Sequence, residues 1–371
     1  MSSLTRRTFA LAAAAAPAFS QQSGNRPDRA GEIDHWMELA SVPGAVVATL
    51  RATGAPVIQA YGVCRTGDSA AVTADTIFEA ASLSKPVFAS AVLRLVRDKA
   101  LDLDQPLSRI LPLSPDPRAA AITARQVLSH SSGLQNWRYQ QKDQFEFAFP
   151  PGERFSYSGE GYFYLQRVVE KITGVPFARY MRETVLEPLG MTRSSYLWRE
   201  DARSAAPHDS RGRQRSQFKA TMGKQMLYLA AQWKKPVETW FYEDVERAMP
   251  LLKQPALPDY MQPNAASSLM TTAADYAGFL RHSFSIDAMR RPQVRINSDL
   301  SWGLGCGLES AGGRQWFWHW GDNPGYKNFF VADAAAGSGI LVLTNSDGGA
   351  KLYQRIVREA LGRDFSAFLW V

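Results

Sequence analysis

The sequence predicts an α+β fold: an antiparallel sheet built from N- and C-terminal segments, flanked by helices, with a mainly helical region inserted between them. Three observations predict it. Strand-like apolar runs bounded by turn residues fall near both ends of the chain, residues 85–290 read mainly as helices and loops, and no fixed-period repeat or low-complexity tract suggests a solenoid or propeller. The 371 residues, 45% hydrophobic and 21% charged, suffice for a sizeable core in one large domain or two closely joined ones.

The elements follow in chain order. Arg6-Arg7-Thr8-Phe9 precedes an alanine-rich apolar run and then Ala18-Phe19-Ser20, the charged, apolar and small-residue regions of a cleavable export signal over residues 1–20. The paired arginines resemble the twin-arginine type. The run is too short to cross about 30 Å of hydrocarbon, and no later stretch is long enough, so the mature chain, 21–371, is expected to be exported without a transmembrane segment. Glu32–Leu39 reads as a short helix. Ala45–Leu50 and Val57–Val63, separated by Gly54-Ala55-Pro56, read as a hairpin. Lys85–Lys99 carries an apolar face at Val87, Ala91, Leu95 and Val96, with Pro86 in the first turn, where a missing N–H costs little. Tyr162–Thr173 is a second helix, stopped by Gly174. Residues 208–262, basic and then aromatic, read as a lid or a surface insertion. Phe329–Val331 and Gly339–Thr344 are strand-like, and Leu352–Leu361 helix-like. The sheet region is thus expected over about 32–80 and 300–371, and the helical region over about 85–290.

Composition narrows the chemistry. The net charge of +7 falls to +5 without Arg6 and Arg7 (7 − 2), and the basic stretch Arg211, Arg213, Arg215, Lys219, Lys224 has no nucleic-acid-reading motif beside it. No nucleic-acid partner is expected. Cys64 and Cys306 either pair across one sheet or remain two buried thiols. With no C-x-x-C or H-E-x-x-H, and five scattered histidines, neither a metal site nor a cofactor is expected.

Two S-x-x-K motifs occur, Ser82-Leu83-Ser84-Lys85 and Ser216-Gln217-Phe218-Lys219. The first opens an amphipathic helix after a strand-like segment; the second lies in a polar stretch without clear periodicity. A spacing of three on a helix puts Lys85 on the same face as Ser82, within reach of its hydroxyl. Ser82 at a helix N-terminus also faces free N–H groups that favour developing negative charge. A serine hydroxyl needs a base beside it, and lysine serves only if burial or a neighbouring cation lowers its pKa. Tyr157, in Phe155-Ser156-Tyr157-Ser158-Gly159, is a candidate partner.

Ser82-x-x-Lys85, Tyr157-Ser158-Gly159 and His319-Trp320-Gly321 occur in the order of the three motifs of the serine β-lactamase and penicillin-binding-protein superfamily, which the chain resembles from about residue 32 to the end. Class C β-lactamases, D-alanyl-D-alanine peptidases and family VIII esterases are the nearest look-alikes. Ile122–Leu134, Pro151–Ser158, Glu187–Met191, Thr271–Tyr276 and Leu343–Asn345 extend the likeness, which is weakest over 200–262. The resemblance implies that Ser82 is the acylated nucleophile, that Lys85 and Tyr157 share proton transfer, and that the backbone N–H groups of Ser82 and Asp322 form the oxyanion hole. It places His319, Gly321 and Gly159 at the substrate, while Asn323 either lines the pocket there or shapes the turn at Pro324-Gly325. Two positions depart from the family. Gly159 stands where Asn is usual, and His319 where Lys is usual, which weakens recognition of an acylamino-carboxylate more than of a simple ester.

A serine hydrolase acting on esters or D-amino-acid amides is therefore the leading expectation. A β-lactamase or D-Ala-D-Ala carboxypeptidase, or a non-catalytic acyl-binding protein of the same fold, are the alternatives; the oligomeric state is left open. The absence of G-x-S-x-G disfavours an α/β-hydrolase. His130 is expected to cap or pack a loop. Trp302 and the aromatics of 316–320 form either an acyl pocket or core.

Overall fold

The computed structural model describes residues 29–139, 143–199 and 201–370; the export signal expected over 1–20 lies outside them. The strands are β1 (Gly44–Leu50), β2 (Val57–Gly62), β3 (Phe78–Glu79), β4 (Met270–Thr271), β5 (Val294–Arg295), β6 (Leu300–Trp302), β7 (Gly307–Ala311), β8 (Arg314–Asn323), β9 (Tyr326–Asp333) and β10 (Ser338–Thr344). Eight of them form one sheet in the order β2-β1-β10-β9-β8-β7-β6-β5, and β3 and β4 pair separately. All these pairings are antiparallel. β1 lies directly against β10, Ala45 opposite Thr344, so the two chain ends share one ladder as the sequence predicts.

The helices are α1 (Arg29–Ala40), α2 (Ser84–Arg97), α3 (Pro117–Ala120), α4 (Ala124–Leu128), α5 (Gly159–Thr173), α6 (Phe177–Met181), α7 (Phe218–Trp233), α8 (Tyr242–Leu251), α9 (Ala273–Ser283), α10 (Gly349–Leu361) and α11 (Ala367–Trp370). Side chains alternate along a strand, so the sheet feeds two cores. Ala45 and Val47 of β1 join Ile33 and Met37 of α1 and Leu352 and Ile356 of α10. Val46, Ala48 and Leu50 face the other way, into Val87 and Phe88 of α2 and Tyr276 and Phe279 of α9. That double burial explains why β1 reads as a continuous apolar run rather than an alternating one.

Helix ends follow local chemistry. The Ser158 hydroxyl caps α5 by accepting from Gly161 N (3.0 Å), and Gly174 ends it at φ 65°. α5 begins three residues earlier than its apolar periodicity indicates, because the cap lies beside Tyr157. Residues 208–262 hold two helices packed on a third core of Met222, Met226, Trp240, Val245 and Met249. The stripe of α7 is hidden in the sequence by Leu227 and Tyr228, apolar yet 49% and 66% exposed on the opposite face. Cys64 and Cys306 are two buried, unpaired thiols. No helix among the described residues is long and apolar enough to cross a membrane.

Candidate active site

Ser82 lies in a single 3₁₀ turn, Ala81–Leu83, that runs from β3 into α2. Ala81, just before it, has φ 52°, a left-handed conformation disfavoured for a residue with Cβ. The turn is fastened by Ser84, whose hydroxyl donates to Ala81 O (2.5 Å) and accepts from Leu269 N (3.0 Å). One turn into α2, Lys85 Nζ donates to Ser82 Oγ (3.1 Å) and to Ala266 O (2.9 Å). Lys85 is 1% exposed, and no carboxylate among the described residues accepts from its amine. Burial alone lowers its pKa well below the ordinary lysine range.

Tyr157 completes the group. Its ring centroid is 4.7 Å from Lys85 Nζ, and its hydroxyl is buried with no hydrogen-bond partner within bonding distance among the described residues. Burial pushes the Tyr157 pKa well above the ordinary phenol range; the neighbouring Ser82 hydroxyl pulls it down and the Asp322 charge pushes it up. The site thus favours the uncharged form of both groups. Behind Tyr157, His130 stacks at 4.1 Å between ring centroids. It accepts from Ser158 N at Nδ1 (3.0 Å), which leaves the proton on Nε2. Burial, then the charges of Lys85 and His319, hold it well below the usual histidine range.

β8 supplies the opposite wall. β7 pairs with it only as far as Trp318, so His319–Asn323 has no partner on that side. A Cβ on Gly321 would fall 2.3 Å from Ala80 O, so only glycine lets this strand approach the Ser82 turn so closely. His319 is fully buried, and its Nδ1 meets Trp320 O at 2.6 Å; because a carbonyl only accepts, Nδ1 carries the proton and Nε2 is a bare acceptor without a partner. Burial, then the Lys85 charge, pushes its pKa down to about 3. The Asp322 carboxylate pairs with Lys327, and Asn323 donates inward, to Glu79 Oε2 (3.0 Å) and Ser267 O (3.2 Å).

Three features escaped the sequence. Trp137 is the first: a Cβ on Gly159 would meet its ring at 2.3 Å, so the space above the second motif is already filled by an indole. An aromatic in an irregular loop carries no signal of that placement. The second is Ala266, a backbone acceptor for Lys85 that no side-chain pattern could reveal. The third is the pair Glu79–Lys219 (2.7 Å), which shares Glu79 with Asn323. Lys219 belongs to the second S-x-x-K, whose Ser216 is exposed. No cluster suited to a metal ion occurs among the described residues.

The antiparallel sheet with its helical insert is the β-lactamase and transpeptidase fold, and here it holds a buried Ser–Lys pair beside a tyrosine, set between a helix N-terminus and an open strand edge. The chain belongs to the Beta-lactamase family, whose model matches residues 30–362. It is similar to Esterase EstB of Burkholderia gladioli, 33% identical over 166 residues, 36% of this chain and 42% of the esterase. Penicillin-binding protein 4 of Amycolatopsis lactamdurans is 30% identical over 193 residues, 46% of this chain and 50% of that protein. The chain spans about half the length of the curated relatives it matches. In three dimensions it superposes on a class C beta-lactamase with a TM-score of 0.70 and 16% identity, covering 91% of this chain and 98% of the other.

Proposed function

We propose that the chain is an acyl-serine hydrolase whose preferred substrates are esters. The observation that carries this reading is the environment of Lys85. It is hydrogen-bonded to Ser82, buried and without a counter-ion, and therefore poised as a neutral base. Lys85 takes the Ser82 proton as Oγ attacks the ester carbonyl. The backbone N–H groups of Ser82 and Asp322 receive the developing oxyanion. Tyr157 gives its proton to the leaving alkoxide and regains one from Lys85. Water then repeats the sequence in reverse on the acyl-enzyme, freeing the acid and restoring the Ser82 hydroxyl.

The ester preference rests on what lines the second and third motifs. Trp137 stands over Gly159 and offers no amide group, and His319 is uncharged at neutral pH. A substrate with a carboxylate beside its scissile amide loses a hydrogen bond and an ion pair, each worth about 1–3 kcal/mol, or roughly 5- to 150-fold. Similarity to an esterase supports the same reading. The test compares p-nitrophenyl butyrate, D-alanine amides and nitrocefin, together with fluorophosphonate labelling. Label on Ser82 and kcat/KM highest for the ester are expected. Preference for nitrocefin, or label on Ser216 with Ser82 clean, refutes the proposal.

Residues 1–20 are read as a twin-arginine export signal cleaved near Ser20. Replacing Arg6 and Arg7 by lysine is expected to retain the protein in the cytoplasm; unchanged export on cell fractionation refutes that reading.

A further inference from the structure

The second S-x-x-K reaches the Ser82 turn through its lysine. Ser216 is exposed, but Lys219, in the first turn of α7, runs inward. Its Nζ meets Glu79 Oε2 at 2.7 Å and donates to Ser267 O (3.3 Å). Glu79 stands three residues before Ser82 and is largely buried.

Asn323, at the end of β8, uses the same two acceptors. Its Nδ2 donates to Glu79 Oε2 (3.0 Å) and to Ser267 O (3.2 Å). The Glu79 main chain is fixed separately: its carbonyl accepts from Asn328 Nδ2 (2.8 Å), and Asn328 Oδ1 accepts from Thr344 N (3.0 Å). The Glu79 carboxylate therefore extends from a fixed backbone to a cation of α7 and to the residue that follows Asp322. The bond to the cation is the stronger of the two. Without it, a poorly solvated carboxylate keeps one amide donor, which favours its release towards the open concavity that Glu79 and Lys219 both line.

These contacts bracket Asp322. On one side Gly321 lies against Ala80 O, and on the other Asn323 is held by Glu79. Ser267 in turn follows Ala266, whose carbonyl holds Lys85 (2.9 Å). One charge pair thus bears on the assigned oxyanion donor and on the base together.

We propose that Lys219 is a positioning residue for the acyl-serine reaction: its pair with Glu79 holds Asn323 and Ser267, and through them the Asp322 N–H and the Ala266 carbonyl, against the Ser82 turn. This rests on the acyl-serine reading. Lys219 acts through Glu79 rather than on the reacting atoms, and so ties the 208–262 insertion to the chemistry.

The test measures p-nitrophenyl butyrate hydrolysis and the rate of fluorophosphonate labelling at Ser82. Lys219→Met is expected to lower kcat and the labelling rate by about ten- to hundredfold, with KM held within roughly threefold. Lys219→Arg should recover most of that loss, and Lys224→Met, which removes another cation of α7, should leave both rates unchanged. The losses from Lys219→Met and Glu79→Gln should fall well short of additive in the double variant. Unchanged rates in Lys219→Met, additive losses, or an equal loss in Lys224→Met overturn the proposal. Hydrogen–deuterium exchange reads the same geometry without turnover. Faster exchange of the 320–325 amides in folded Lys219→Met protein is expected, and unchanged exchange there overturns the proposal. If the wild-type protein neither hydrolyses the ester nor is labelled at Ser82, the acyl-serine reading fails, while the exchange measurement still judges the hold of Lys219 on β8.

Discussion

At the scale of single residues, the candidate site removes water from groups that are ordinarily charged. Lys85 lies on the neutral side of its usual equilibrium because burial penalises the ammonium and no carboxylate compensates it. Activity that depends on its free amine should rise with pH and reach its plateau well below pH 10, a profile readable in kcat/KM. Lys85→Arg, which cannot deprotonate, is expected to lower kcat/KM by about a hundred- to ten-thousandfold. Wild-type rates in that variant would show that Lys85 is not the base. Gly321→Ala tests the approach of β8: a methyl 2.3 Å from Ala80 O must displace the Ser82 turn. The expected result is a loss of at least tenfold in kcat with a lowered Tm, and an unchanged enzyme would show that the turn yields freely. That Ser82, Lys85 and Tyr157 would lie together was legible because the expected chemistry needs particular side chains at particular spacings. Ala266 and Trp137 were not, because one contributes only a carbonyl and the other only volume.

At the scale of elements, α5 connects the second motif to the core, and its first turn is fixed from outside. Gly159 N donates to Asn136 Oδ1 (2.8 Å), and Glu160 pairs at 2.9 Å with Arg138, a pair nearly inaccessible to water. Breaking a buried pair from one side leaves an uncompensated charge, which costs about 3–5 kcal/mol. Glu160→Gln should therefore lower stability by a few kcal/mol in chemical denaturation, and a loss below about 1 kcal/mol would show that Arg138 finds another partner. Trp137 gives a more specific expectation. Gly159→Asn alone should destabilise the fold, whereas Gly159→Asn with Trp137→Ala should recover much of that loss; additive effects would show that the two residues do not share the space. The amphipathic helices α2, α5 and α10 were legible from their periodicity. The helix α7 was not, because it is apolar on both faces, and α8, whose Val245, Ala248 and Met249 follow helical spacing, carries Pro250 in its last turn, a residue that reads as a helix breaker. Short strands such as β5 and β6 hold too few residues to display a period.

At the scale of the whole molecule, the sheet was legible because its central strands are apolar on both faces and occur near both chain ends. Within it β2-β1 and β10-β9 are antiparallel neighbours joined by short turns, and β1 against β10 brings the two distant parts of the chain together. Acid sensitivity is also a property of the whole. His319 titrates near 6.5 when unfolded and near 3 when folded, so between those values the unfolded chain binds a proton that the folded one does not. Stability from this group is present above about pH 6.5 and falls as pH drops towards 3, by a few kcal/mol at most. His319→Gln should lose less Tm than the wild type between pH 7 and 4.5 in differential scanning calorimetry. Parallel curves would mean that His319 is protonated within the fold.

The pairing of Ala45 with Thr344 has a consequence for biosynthesis. β1 and β2 leave the ribosome long before β10, as a hairpin that is marginal in water on its own. The edge of β1 that β10 covers, and the apolar face that packs on α2 and α9, stay open until those later segments have been translated. Until then the nascent protein carries an adhesive strand that a chaperone or the ribosome surface must shield.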